Sequence, residues 1–158
     1  MYLRQFSEHD APEISSWFSS REESLLWGGR VFSWPIETAE IIKRSYQKEI
    51  EFLTLSNGSD VLGFIELQHV SPDEMRLCRV VVSPKFRGQG MGKALVSLSL
   101  EEIKKRKQYQ VVTLAVFTKN KTAHKCYKSL SFVAVDKGPK FKEFAGERWP
   151  LVQMETAL

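Results

Sequence analysis

The sequence is poor in cysteine: it has only Cys78 and Cys126, far apart and without the Cys-x-x-Cys or Cys/His spacing of a metal site. No metal is therefore expected, and both thiols are expected to be reduced and to pack as small apolar groups in a cytoplasmic protein. Long apolar runs are also absent, since residues 111–117 fall far short of the roughly 20 residues that cross a bilayer. Residues 1–10 lack the apolar core of a secretory signal. No membrane partner is predicted.

Charge of one sign is in small excess, with 23 Lys and Arg against 19 Asp and Glu and a formal net charge of +4. The basic run at residues 104–107 closes a predicted helix, where cations oppose the helix dipole, and no nucleic-acid-binding motif accompanies it. No nucleic-acid partner is therefore predicted. The 158 residues are 42% hydrophobic and 27% charged, without repeats or low-complexity tracts, so residues 1–158 are predicted to form a single globular domain.

The apolar periodicity predicts an α/β fold with a mixed sheet of about seven strands and four helices in three layers. The predicted order is strand, two helices, three strands, helix, strand, helix and two closing strands. Strands are predicted at 1–6, 51–56, 61–70, 75–82, 111–117, 132–135 and 148–154, and helices at 10–18, 38–48, 91–107 and 120–130. The strand at 111–117 is expected to be buried on both faces and parallel to its neighbour. Residues 21–35 and 137–147 are predicted to be loops.

Glycines at 88, 90 and 92 lie between a predicted strand and a predicted helix, where free N–H groups and the helix dipole favour an anion such as phosphate. The loop is not a Walker A motif, because Arg87 stands where the first glycine belongs and Ala94 replaces the hydroxyl residue. A dinucleotide fingerprint is excluded as well, because it would place Lys93 at its third glycine.

The pattern Arg87-x-x-Gly90-x-Gly92 resembles the pyrophosphate-binding motif of the GNAT superfamily of acyl-CoA-dependent N-acyltransferases. Downstream, Asn120-x-x-Ala123-x-x-x-Tyr127 resembles that family's second motif, in which an Asn and a Tyr flank the CoA thiol. Ser131 departs from the glycine that usually follows there, which affects local turn geometry. The resemblance implies a bacterial-type, single-domain N-acetyltransferase with the GNAT-like three-layer fold.

The resemblance further implies transfer of an acetyl group from acetyl-CoA, the cosubstrate, to a primary amine of a small molecule or peptide. The amine attacks directly, through a tetrahedral intermediate. The pantetheine arm would run beside the strand at 80–82, where the family's two central strands splay apart. The cofactor-binding residues implied are Val80, Val81, Val82, Arg87, Gly88, Gln89, Gly90, Met91, Gly92, Lys93, Asn120, Ala123 and Tyr127.

Catalytic roles follow from the same resemblance. Tyr127 is predicted to be the general acid that protonates the departing thiolate, the alternative being a core tyrosine whose hydroxyl meets a backbone carbonyl. The backbone N–H of Val82 is predicted to stabilise the oxyanion. Glu66 is a candidate base, and His69 is a weaker one. A surface position is favoured for His124, and Cys126 is disfavoured as a nucleophile because it lacks a paired base.

The acceptor is expected to lie against Trp27, Arg30 and Trp34, although a loop packed by its own tryptophans is an equal alternative. Three carboxylates, on Glu22, Glu23 and Glu147, are candidates to attract a cationic acceptor. A catalytically idle acyl-CoA-binding module is the alternative function. The sequence leaves open the acceptor, the acyl chain length and the choice between a monomer and a homodimer.

Overall fold

The computed structural model describes residues 1–158 and contains eight strands and five helices. The strands are β1 (Tyr2–Gln5), β2 (Ile50–Ser56), β3 (Val61–Ser71), β4 (Glu74–Val82), β5 (Val111–Phe117), β6 (Val133–Val135), β7 (Phe141–Phe144) and β8 (Glu147–Ala157). The helices are α1 (Ala11–Ser15), α2 (Arg21–Gly28), α3 (Thr38–Ser45), α4 (Met91–Lys105) and α5 (Lys121–Ser129). None of these helices is both long and apolar enough to cross a membrane.

The strands form one mixed sheet in the order β1-β2-β3-β4-β5-β8-β6, with β7 paired to β8. All neighbours are antiparallel except β4 and β5, which are parallel and joined through α4. A parallel pair needs such a crossover helix, because a tight turn can only reverse the chain. The predicted mixed α/β fold is confirmed, with one more strand and one more helix than expected.

The sheet opens between β4 and β5. These strands pair only from Glu74 opposite Val111 to Arg76 opposite Thr113, and beyond that point neither strand pairs with the other. On its other side β4 carries an irregularity, because β3 pairs Phe64 with Val81 but Glu66 with Cys78. The extra residue is accommodated at Arg79, whose φ of 50° lies in the left-handed region. The bulge and the missing pairs leave a fork in the centre of the sheet.

Two apolar clusters cover the two faces of the sheet, which gives the predicted three layers. The first includes Leu95 and Ile103 of α4 and Tyr127 of α5, packed against alternate residues of the central strands. The second joins α1, α2 and α3 to the opposite face, where Phe64 of β3 lies at its centre. Strand alternation therefore decides which helices each sheet residue meets.

The segment predicted to be a loop at 21–35 begins with helix α2. The Ser20 hydroxyl caps this helix by accepting the N–H of Glu23 at 3.1 Å, and the helix ends at Gly29, which has a φ of 57°. The pattern Ser-x-x-Glu is a start signal that the sequence contained. Trp27 then stacks between Phe18 and Phe32, with ring centroids 4.4 and 5.2 Å away. The tryptophan therefore packs α2 onto the core.

Other boundaries also differ from those predicted. Helix α1 ends at Ser15 and α3 at Ser45, and the loop predicted at 137–147 contains β7. Strand β5 is not buried on both faces: Val112, Leu114 and Val116 are buried, whereas Ala115 is exposed in the fork. The uninterrupted apolar run is explained by the cavity that faces its second side.

Candidate active site

A cavity of about 320 Å³ occupies the fork between β4 and β5. Its walls come from both central strands, from α2, from the start of α5 and from β7. Among the lining residues are Trp27, Gln68, Arg76, Cys78, Arg79, Val80, Ala115, Phe117, Asn120, Tyr127 and Lys142. The structure thus brings Trp27, Val80, Asn120 and Tyr127, which are far apart in sequence, to one cavity.

The glycine loop lies where β4 ends and α4 begins. Gly88 and Gly90 have φ values of 75° and 80°, and a Cβ built on either would meet no atom within 4 Å. None of the N–H groups from Gly88 to Lys93 donates to another protein group, and Gly90 caps α4 without a side-chain hydrogen bond. The loop therefore presents free donors at the positive end of a helix dipole, with open space in front of them.

Val82, the predicted oxyanion donor, does not line the cavity, but it lies on the part of β4 that β5 leaves unpaired. The N–H of Ser83 donates to the carbonyl of Leu62 on β3 at 2.8 Å. Because a strand in an antiparallel pair hydrogen-bonds to its neighbour at every second residue, the N–H of Val82 must point away from β3. It points to the edge of β4 that β5 does not pair with at this position. The Val82 carbonyl points the same way, since it accepts Nε of Arg87 at 3.3 Å. The Val82 N–H is therefore free for a ligand in the fork.

Helix α5 directs its first residues and Tyr127 to the cavity. The side-chain oxygen of Asn120 caps the helix by accepting the N–H of Ala123 at 3.3 Å, which leaves its amide N–H groups free. Tyr127 is buried, its ring packs edge-on against Phe132, and its hydroxyl has no hydrogen-bond partner in the protein. Burial raises the pKa of this phenol, helped by the nearby thiols. The hydroxyl therefore stays protonated and available at neutral pH.

Glu66, the candidate base, is not in the cavity. It is fully buried on the face of β3 that α3 covers, where it accepts Arg44 at 2.7 and 3.0 Å and Arg79 at 2.8 and 3.0 Å. Gln68 donates to it as well, at 2.7 Å. Burial would raise the pKa of Glu66, but the hydrogen bonds and charges of the two arginines outweigh burial and lower it. This geometry indicates a structural anchor for the bulge and disfavours the base role.

Replacing Glu66 by glutamine is expected to destabilise the fold by about 3 to 5 kcal/mol, because it leaves two largely buried guanidinium groups facing a neutral side chain. The pKa of Glu66 is lowered in the folded protein, so its stabilisation is present above the ordinary value of 4.5 and is lost as the pH falls below it. The difference in free energy of unfolding between wild type and Glu66→Gln should therefore shrink as the pH falls below about 4.5. Urea unfolding at several pH values measures it.

The control for that prediction is Glu143→Gln, because Glu143 pairs with Arg148 at 3.3 Å but both side chains are more than half exposed. Its free energy of unfolding should change by less than about 1 kcal/mol. Equal stability of Glu66→Gln and wild type at pH 7 would contradict the anchor role.

The other ionisable candidates also lie outside the cavity lining. The ring of His69 contacts the Tyr109 hydroxyl through Nδ1, and its Nε2 lies 3.6 Å from Glu51. His124 is half-buried on α5. Burial raises the pKa of the Cys126 thiol, which disfavours a thiolate nucleophile there.

Of the residues predicted to contact the acceptor, only Trp27 lines the cavity. Trp34 is partly exposed elsewhere, and the guanidinium of Arg30 lies over the Phe144 ring at 5.1 Å. None of the three predicted carboxylates lines the cavity, and two of them lie near one lysine. Lys119 lies 3.4 Å from Glu22 and 3.9 Å from Glu147.

The sequence interpretation missed three cations in the cavity lining: Arg76, Arg79 and Lys142. Arg76 was detectable in principle, because it alternates with Met75 and Leu77, which belong to the core on the other face. The position of Arg79 in the cavity depends on the β4 bulge. The position of Lys142 depends on strand β7, which the sequence pattern does not predict.

Comparisons with known proteins agree with this architecture. The sequence profile of the acetyltransferase (GNAT) family matches residues 12–132. A mycothiol acetyltransferase from Corynebacterium glutamicum (strain R) is 27% identical over 123 residues, which cover 77% of this chain but 42% of the relative. One from Streptomyces scabiei (strain 87.22) is 40% identical over 57 residues, covering 36% of this chain and 18% of the relative. This chain therefore matches less than half the length of either relative.

Solved structures show the same fold at low sequence identity. Spermidine N-acetyltransferase from Vibrio cholerae, in complex with CoA and spermine, superposes with a TM-score of 0.80 at 18% identity, covering 98% of this chain and 94% of that chain. The ribosomal-protein-S18-alanine N-acetyltransferase from Escherichia coli gives 0.73 at 20% identity, covering 98% and 92%. The forked mixed sheet thus defines a GNAT-fold protein. Because the family profile matches most of its length, the chain belongs to the acetyltransferase (GNAT) family.

Proposed function

We propose that residues 1–158 form one domain that transfers an acetyl group from acetyl-CoA to a primary amine. The observation that carries this proposal is that three groups lack protein hydrogen-bond partners: the phenol of Tyr127 in the cavity, the N–H of Val82 on the unpaired edge of β4, and the amides of the glycine loop that follows β4. A glycine turn with a purely structural role would not explain why these three groups lack hydrogen-bond partners.

The glycine loop suits the pyrophosphate of acetyl-CoA. Its free N–H groups and the start of α4 favour an anion, and the open space at Gly88 and Gly90 allows a phosphate to approach the backbone closely. The pantetheine arm would pair with the free edge of β4 as an added strand, as extended ligands do at an unpaired sheet edge. The free amide N–H groups of Asn120 would hold the arm from the side of α5.

The chemistry is assigned to the protein groups at the fork. The Val82 N–H would donate to the oxygen that becomes negative when the amine attacks the acetyl carbonyl. The Tyr127 hydroxyl would give its proton to the departing sulfur, because a thiol near pKa 8.5 is otherwise released as a thiolate. The remaining phenolate would recover a proton, through water, from the nitrogen as the tetrahedral intermediate collapses to the amide. The cavity lining has neither a carboxylate nor a histidine. The ammonium proton of the acceptor is therefore proposed to pass to water in the open cleft.

The test is calorimetric titration with acetyl-CoA, followed by measurement of thiol release with a panel of amines. Binding in the micromolar range is expected, together with saturable thiol release for at least one amine. S-acetylpantetheine, which lacks the pyrophosphate, is the matched ligand and should bind far more weakly. No binding of acetyl-CoA would overturn the proposal, and binding without thiol release from any amine would favour an idle acyl-CoA-binding module.

A further inference from the structure

The charges around the cavity are unbalanced. Its lining contains three cationic side chains and no Asp or Glu. Arg79 forms a salt bridge with buried Glu66, which also forms one with Arg44. Arg76 and Lys142 have no carboxylate within 4 Å. Two cationic side chains of the cavity therefore form no direct ion pair with a carboxylate of the protein.

Arg76 is held in place by neutral groups. Its two terminal nitrogens donate to the Thr113 hydroxyl at 3.4 Å and to the Gln153 side-chain oxygen at 3.1 Å. A guanidinium has five N–H donors, so most of them remain free after these two contacts. Because Thr113 and Gln153 belong to β5 and β8, the sheet fixes the direction of the guanidinium. The Glu74 carboxylate is linked to Arg76 only through the Thr113 hydroxyl, which donates to it at 2.8 Å.

Lys142 reaches the same cavity from β7. Its Nζ lies close to Gly29, 3.7 Å from the point where a Cβ would stand. Partial burial lowers the pKa of Lys142, and the charges of Arg79, Arg76 and Arg30 lower it further. The lysine and the arginines therefore repel one another across the cavity, and an anion bound between them would relieve this repulsion.

The cosubstrate does not supply that anion. In the proposed binding mode its pyrophosphate lies on the glycine loop, which is outside the cavity lining, and the arm and thioester that enter the fork are uncharged. The acceptor is then the bound molecule that can supply the counter-charge. A polyamine would add positive charge to a cationic cavity, which is unfavourable at short range.

We infer that the acceptor amine carries a carboxylate or phosphate group near its nitrogen, and that Arg76 and Lys142 bind this anionic group. The inference rests on the proposed function and names the substrate class for that site. Arg76 offers the planar donor pair that suits a carboxylate or a phosphate, and Lys142 adds a point charge. Both are positioning residues that orient the amine.

The experiment compares acceptors in matched pairs that differ only in the anionic group. The common α-amino acids are compared with their α-amides, lysine with cadaverine, and glucosamine 6-phosphate and phosphoethanolamine with glucosamine and ethanolamine. In at least one pair kcat/KM should be higher for the anionic member by about tenfold or more, the range expected of charge-assisted hydrogen bonds. The first two sets test a carboxylate and the others test a phosphate.

Variants assign the effect to the two cations. Arg76→Gln and Lys142→Gln should each lower kcat/KM for the preferred anionic acceptor by about tenfold, mainly by raising KM. For the neutral member of the same pair, kcat/KM should change by less than about twofold. Lys140→Gln is the matched control, because Lys140 is two residues away, highly exposed and paired with Asp136 at 3.0 Å. Lys140→Gln should leave kcat/KM unchanged for both the anionic and the neutral acceptor. The acetyl-CoA dissociation constant should be unchanged in all three variants, which also checks folding.

The outcomes separate this inference from the proposed function. If acetyl-CoA binds and neutral amines are acetylated as well as their anionic partners in every pair, the anionic acceptor is refuted and the acetyltransferase remains. If no pair is turned over, calorimetry of the CoA complex with the anionic amines decides, and absence of binding also refutes the inference. Failure to bind acetyl-CoA overturns both.

Discussion

Replacing Tyr127 by phenylalanine is expected to lower kcat by about 100-fold or more, within the range that general acids contribute, and to leave the acetyl-CoA dissociation constant unchanged. The phenol lines the cavity, its hydroxyl has no protein partner, and burial raises its pKa so that it keeps its proton. Removing one oxygen therefore removes a proton donor while it preserves the ring and its packing on Phe132. Steady-state kinetics and calorimetry on the same preparation measure the two quantities.

Tyr109→Phe is the matched control for this prediction. Tyr109 is buried to the same extent as Tyr127, at 7% exposure, but its hydroxyl contacts His69 away from the cavity. The substitution should lower the free energy of unfolding by about 1 kcal/mol and leave kcat unchanged. If kcat of Tyr127→Phe equals that of wild type, Tyr127 is a core residue and the thiolate leaves without its help.

The parts of the site that the sequence predicts are those built from local backbone signals. The glycine loop needs only its own φ values and the helix that follows it, and Asn120 and Tyr127 share one short helix. The fork itself was implied by the family resemblance, and the structure contains it: pairing between β4 and β5 ends at Arg76. For the glycine loop and for α5 the information is contained within a few consecutive residues.

The role of Glu66 could not be predicted from a local pattern. Its partners come from α3 and from the β4 bulge, and a bulge changes which face each following residue occupies. The left-handed Arg79 is such a residue, and it carries no glycine or asparagine signal. Long-range pairing therefore decides between a base and a structural anchor.

The acceptor side was hidden for a related reason. Lys142 lies on β7, a strand of four residues with mostly exposed side chains, for which periodicity gives no clear pattern. Only its pairing with β8 brings it to the cavity, beside α2, a helix in the segment that the sequence predicts to be a loop. Composition alone offered carboxylates for a cationic acceptor, whereas the folded cavity gathers cations.

Replacing Gly90 by aspartate is expected to weaken acetyl-CoA binding by about 100-fold or more. Gly90 is the N-cap of α4, where free N–H groups and the helix dipole favour an anion, so a carboxylate there competes with the pyrophosphate and repels it. Its φ of 80° adds strain for any side chain. Calorimetric titration with acetyl-CoA gives the change in affinity.

Two further variants separate charge from strain. Gly90→Asn has nearly the same shape as Gly90→Asp but no charge, and asparagine tolerates the left-handed region, so it should weaken binding by less than about tenfold. Gly146→Asp places the same carboxylate at a φ of 79°, again with no atom within 4 Å, in a hairpin far along the chain from the loop. It should reproduce the loss of stability and leave the affinity unchanged. Equal affinity of wild type and Gly90→Asp would mean that the glycine loop holds no phosphate, because a carboxylate among its amides would then have nothing to repel.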